Sequence, residues 1–198
     1  MLRKFKCVEG CSDCCNYREY YPSVEYGKIG VLILPEEKFR IEEEAKNNNI
    51  RINIIPRLGS GRKKKGIGPK KILAYQMMGK KKNGDLCPFL EESNSQTSSH
   101  IGLKCKIYEN RPLACRAYPI FDDSKGSDIR LDGKCQFCKS CSTTAHKESL
   151  GNEIEAFTKI KTTFCREATA EIWRYATAVG EDETRPRFFS EGWVLECT

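Results

Sequence analysis

The stretch Cys7-Val8-Glu9-Gly10-Cys11-Ser12-Asp13-Cys14-Cys15 places four thiols within nine residues. Thiolates are strong ligands for zinc and for iron–sulfur clusters, and ligands two to four residues apart can reach one metal from a single turn. Gly10 has no Cβ and lets the backbone fold tightly around an ion. Neighbouring side chains point in different directions, so the sulfurs of Cys14 and Cys15 are expected to serve different metals or different positions on one cluster. The chain reads as a metal-organised protein, and every other element is placed relative to that centre.

Twelve cysteines are spread over 198 residues, and only 39% of the chain is hydrophobic. Metal binding can replace part of the missing core, because its free energy becomes folding free energy when the unfolded chain has no preformed site. The opening Met1-Leu2-Arg3-Lys4-Phe5-Lys6 has no apolar run after its basic residues, as a secretory signal would. No stretch approaches the roughly 20 apolar residues of a membrane span. These features predict a cytoplasmic protein with reduced cysteines and no membrane partner; in that setting cysteine clusters mean metal more often than disulfide. The even cysteine count is the case for disulfides.

The net charge is +7, and the excess lies in residues 1–85, with 19 Lys and Arg against 10 Asp and Glu. Two basic runs carry it, Arg62 to Lys71 and Lys80 to Lys82. Basic runs can bind phosphate, but a solvated loop is their commoner meaning. Few aromatics are interleaved for base stacking beyond Tyr75, so nucleic acid is the weaker partner class and a protein partner or protein substrate the stronger.

Val31 to Leu34 reads as a strand. Pro35 then opens a helix to Ala45 or Lys46, with Glu36 and Glu37 beside its N-terminal dipole and Asn47-Asn48-Asn49 as its stop. Arg51 to Ile55 reads as a strand closed by Pro56, and 57–71 as a glycine-rich basic surface loop without the Lys-Ser/Thr ending of a P-loop. Ile72 to Met78 is a strand candidate. The turn signal Asn83-Gly84 suggests a hairpin over 72–90 that delivers Cys87. Glu91 to His100 reads as a polar loop. Pro112 opens a helical turn that Pro119 ends, setting Cys105 and Cys115 on either side of a corner. From Ile154 to Val179 apolar residues recur at steps of three and four, predicting one long C-terminal helix over Glu153–Val179 with a structural Cys165 buried beside its stripe. The resulting fold class is α+β: a small irregular metal-organised domain over 1–141 with short strands or a hairpin, and a helical extension over 142–198 packed on it.

Two further cysteine patterns carry chemistry. Cys7, Cys11 and Cys14 have the spacing of radical S-adenosylmethionine enzymes, but Asp13 stands where those carry an aromatic, and no repeated strand–helix pattern accompanies it. Cys135, Cys138 and Cys141 open like a bacterial ferredoxin run, but Ala145 occupies the fourth position. His146 is near enough in sequence to serve zinc, although solvated histidine is the commoner meaning there and at His100.

The order Cys-x-x-Cys-Cys, then Cys87-Pro88-Phe89-Leu90, then Cys105-x-Ile107-Tyr108-x-x-Arg111-Pro112-x-x-Cys115-Arg116-x-Tyr118-Pro119, then a later cysteine, resembles the CxxCxxCC cysteine-cluster family of zinc- or iron-chelating domains. That family includes flagellin lysine N-methylases. By position, the resemblance implies eight ligands: Cys7, Cys11, Cys14, Cys15, Cys87, Cys105, Cys115 and Cys135. Eight suits two tetrahedral zinc ions or iron–sulfur chemistry, including a 4Fe-4S cluster. The chain departs from the family in its first spacing, in Asn16 after the cluster, and in Cys138 and Cys141, which add ligand capacity. The resemblance implies a metal-binding, redox or metal-handling protein, with a protein-lysine N-methylase-like enzyme using an iron–sulfur cluster as the alternative. Arg111 and Arg116 are candidates to offset thiolate charge, and a surface pairing of Arg116 with Glu109 is the bland alternative.

Overall fold

The computed structural model describes residues 5, 15, 30–62, 67–79, 86–92, 103–122, 129–133, 135–140, 147–166, 171–176 and 192–196. The fold is α+β. Its largest element is an antiparallel sheet of five strands in the order β1-β3-β2-β8-β9: β1 (Val31–Ile33), β2 (Ile54–Ser60), β3 (Lys71–Met77), β8 (Ile172–Ala176) and β9 (Gly192–Leu195). Two small ribbons lie outside it. One pairs β4 (Leu90–Glu92) with β5 (Leu103–Cys105), the other β6 (Ile120–Asp122) with β7 (Arg130–Leu131).

Helix α1 (Pro35–Asn47) follows β1 directly. Proline at its first position is preset for helical φ, and Glu37 reaches back so that its Oε2 accepts the Leu34 N–H at 3.1 Å, the reciprocal half of a capping box. Its buried stripe is Glu37, Ile41 and Ala45, at steps of four. Ile41 and Ala45 pack with Val31, Ile33 and Met77 of the sheet in the main core. Gly30 permits β1 to start against β3, since a Cβ there would lie 2.0 Å from the Met77 carbonyl oxygen.

Several expectations change. Pro56 does not close a strand; it stands inside β2 opposite Tyr75, at a register shift between Pro56 and Leu58. A bulge is one of the few sheet positions that tolerate a missing N–H. Residues 57–60 are therefore strand rather than loop, and Arg57 is 0% exposed. The expected hairpin over 72–90 is not made: β3 pairs with β1 and β2, and β4 pairs with β5. The long C-terminal helix is shorter than its period suggested. Helix α4 (Gly151–Cys165) ends at Cys165, and Ile172-Trp173-Arg174-Tyr175-Ala176 forms β8 between β2 and β9. The alternation in that run is two-fold as well as helical, and pairing on both edges decides it. Cys165 is exposed, not buried.

Two shorter α-helices, α2 (Leu113–Arg116) and α3 (Gln136–Ser140), and a 3-10 turn over Lys147–Leu150 complete the described elements. Helix α4 lays Ala156, Phe157, Ile160 and Phe164 against Leu34, Leu113 and Ala117, so the apolar stripe read from the sequence clamps the Pro112 corner. Among the described residues no helix is long and apolar enough to cross a membrane.

Candidate metal centre

Cys87 opens Cys87-Pro88-Phe89-Leu90, a turn in which the Leu90 N–H donates to the Cys87 carbonyl at 3.1 Å. Cys87 is buried, as is Phe89 two residues on. The Cys87 N–H donates to the Cys15 carbonyl at 3.1 Å, so the end of the N-terminal cysteine run is tied to this turn by backbone. The turn leads into β4, whose Leu90 stands opposite Cys105 of β5. The Lys106 N–H extends the ladder to the Phe89 carbonyl at 2.9 Å. Three cysteines far apart in sequence are thus joined by two short backbone links.

Glu91 locks the ribbon on its other face. Lys104 stands directly opposite it and Lys106 diagonally, both at 3.2 Å from its carboxylate oxygens. Their hydrogen bonds hold the Glu91 carboxyl below the ordinary carboxylate range. Two ammonium groups therefore flank Cys105 in sequence, and both are engaged by Glu91.

After Ile107, which is buried, the chain turns with the Asn110 N–H on the Ile107 carbonyl at 2.9 Å. Arg111 braces this turn: its Nε donates to the Tyr108 carbonyl at 2.8 Å, and its guanidinium lies 3.7 Å from the centre of the Tyr108 ring. Pro112 is the N-cap of α2, and the Cys115 N–H donates to the Pro112 carbonyl at 2.9 Å. The carboxylate whose charge Arg111 and Arg116 share is Glu153, in the first turn of α4. Burial pushes the Glu153 carboxyl above its ordinary value, against the pull of its own backbone hydrogen bond and of the two arginines.

Cys87 belongs to the main core with Val31, Ile33, Met77, Phe89 and Ala114, and Cys15, Cys105 and Cys115 pack against that same core, each half-buried. Cys135 and Cys138 are held by other contacts. The Cys135 N–H donates to the Asp132 carbonyl at 3.0 Å, and the Cys135 carbonyl accepts from Lys139 at 3.0 Å at the start of α3. Between them on that helix, Phe137 meets Phe5 edge to face, with ring centres 4.9 Å apart. No disulfide joins two of the described cysteines. Cys7, Cys11, Cys14 and Cys141 lie outside the described residues, as do His100 and His146. Among the described residues no three of His, Cys, Asp and Glu stand around a common point. In donor chemistry the set fits thiophilic metals, zinc and iron, rather than hard oxygen-seeking cations.

Reading the sequence for ligands named the cysteines but not the contacts that hold their segments. Glu37 Oε1 accepts the Leu113 N–H at 2.8 Å, and Arg40 and Glu44 both reach Asn110. The capping position of Glu37 was a visible signal; its partner 76 residues away was not. The basic stretch also changes character, since Arg57 is buried and donates to the Tyr175 carbonyl at 2.9 Å, while Arg62 pairs with Glu171 at 3.1 Å.

The model of the CxxCxxCC family, described as a Putative zinc- or iron-chelating domain, matches residues 6–131. No curated protein and no solved structure matches the chain significantly. The matched span contains Cys7, Cys11, Cys14, Cys15, Cys87, Cys105 and Cys115 and ends before Cys135, Cys138 and Cys141. The chain belongs to the CxxCxxCC family.

Proposed function

We propose that this member of the CxxCxxCC family is a cytoplasmic metal-handling protein that takes zinc or a 4Fe-4S cluster on cysteine thiolates, with Cys15, Cys87, Cys105 and Cys115 among its ligands. A single observation carries the reading: four cysteines drawn from three separated segments pack on one core cluster. Cys7, Cys11 and Cys14 supply further thiols from the run that ends at Cys15, and Cys135, Cys138 and Cys141 extend the capacity beyond the family's span. Three of the four converging cysteines are half-buried, not sealed.

The test is metal analysis and absorption spectroscopy on protein purified without oxygen. A brown protein with visible thiolate-to-iron absorption and bound sulfide supports the cluster; a colourless protein with stoichiometric zinc supports zinc. A protein with neither metal, and unable to take up either, would sink the proposal.

A further inference from the structure

The cysteine corner is gripped by one face of α1. Glu37, Arg40 and Glu44 lie at steps of three and four, so they share a helix face. All three reach the segment between Cys105 and Cys115. The Glu37 carboxylate accepts the Leu113 N–H at 2.8 Å through Oε1. The Arg40 guanidinium donates to the Asn110 carbonyl, and Glu44 Oε1 accepts the Asn110 side-chain amide at 2.7 Å. Arg40 also donates to Glu37 Oε1 at 3.3 Å.

Glu37 is the buried carboxylate among the described residues, at 5% exposure. Taking a carboxylate out of water is costly unless its oxygens are satisfied, and here each oxygen accepts a buried backbone N–H. One of those N–H groups opens α1 and the other opens α2. Glu37 thus serves two helix starts, and the second helix carries Cys115 two residues after Leu113.

We infer that Glu37, braced by Arg40, is a positioning residue for the metal centre: it sets the start of α2 and so the direction from which Cys115 presents its thiolate. The inference rests on the metal-binding reading above and names what tunes that site. Partners hydrogen-bonded directly to a metal ligand alter metal affinity by about 10- to 100-fold; Glu37 acts one step further out, through the Leu113 backbone, so its effect belongs at the lower end of that range. A glutamine is close in shape, but its amide would put a donor against one of the two backbone N–H groups.

The test uses Co2+ as probe on the full chain, because its visible absorption reports how the thiolates are arranged around it. Glu37→Gln is compared with the parent and with Arg174→Gln, which removes the Arg174–Glu196 ion pair in the sheet, remote in sequence from the corner. Glu37→Gln is expected to bind Co2+ up to about 10-fold more weakly and with a shifted spectrum, while Arg174→Gln keeps the parent spectrum. If Glu37→Gln does not fold, Arg40→Gln takes its place and is expected to shift the spectrum in the same direction. A parent-like spectrum and affinity in the variant that folds would overturn the positioning role and leave the metal reading intact. A parent that takes up no Co2+ and holds neither zinc nor iron when purified without oxygen would overturn both.

Discussion

Glu37 Oε1 accepts the backbone N–H of Leu113 at 2.8 Å, across 76 residues of chain, and so joins the start of α1 to the start of α2. The same carboxylate accepts the Leu34 N–H through its other oxygen. Metal binding apart, this predicts a stability effect. Glu37→Ala leaves both buried N–H groups without their carboxylate, and an orphaned buried donor costs about 1–3 kcal/mol. Urea unfolding of the metal-free protein should show a loss of at least about 2 kcal/mol. A midpoint within error of the parent would mean that water replaces the carboxylate.

Glu153 gives a pH dependence. Burial raises its carboxyl above the ordinary value of 4.5, so the folded state holds this proton more tightly than the unfolded state. Stability from this group is therefore fully present below the unfolded value and declines as pH rises through the raised one. Glu153→Gln removes the titration. The variant should gain on the parent between acid and neutral pH, the gap closing below about pH 4. Thermal unfolding across that range checks it; a gap that widens toward acid would mean that the charges of Arg111 and Arg116 outweigh burial.

Arg57 separates the sheet reading from a phosphate-binding one. It lies fully buried in β2 and donates to the Tyr175 carbonyl of β8. Hydrogen bonds from charged groups contribute about 1.5–3 kcal/mol, so Arg57→Gln should destabilise by an amount of that order in urea unfolding. An unchanged midpoint would contradict a structural Arg57.

Much of the architecture was legible because it is local. The Val31 strand, the proline-opened helix at Pro35 and the turn at Pro112 each announce themselves within a few residues. The misreadings were made where distant chain decides. Ile172 to Ala176 fits a helical stripe, yet β2 and β9 offer edges on both sides and draw it into the sheet. Pro56 reads as a stop until the bulge opposite Tyr75 accommodates it. The candidate site divides in the same way: the cysteines are visible as residues, and their grouping on one core is not, since it depends on β4–β5 pairing and on the Cys15–Cys87 link.

Substituting cysteines one at a time distinguishes ligands from bystanders. Cys115→Ser should lower metal content, because a hydroxyl is a far poorer ligand than a thiolate for zinc or iron. Cys165→Ser should leave it unchanged, since Cys165 is exposed at the end of α4. Metal content per chain, measured by elemental analysis, should fall for the first variant alone; equal content in both would remove Cys115 from the ligand set.

The most direct test of metal binding on these cysteines is differential alkylation read by mass spectrometry, on metal-loaded protein before and after a chelator. Cys15, Cys87, Cys105 and Cys115 should each be protected by the metal and become reactive as it leaves, with Cys165 reacting at the same rate throughout. Rates that the chelator does not change would contradict metal on these thiolates.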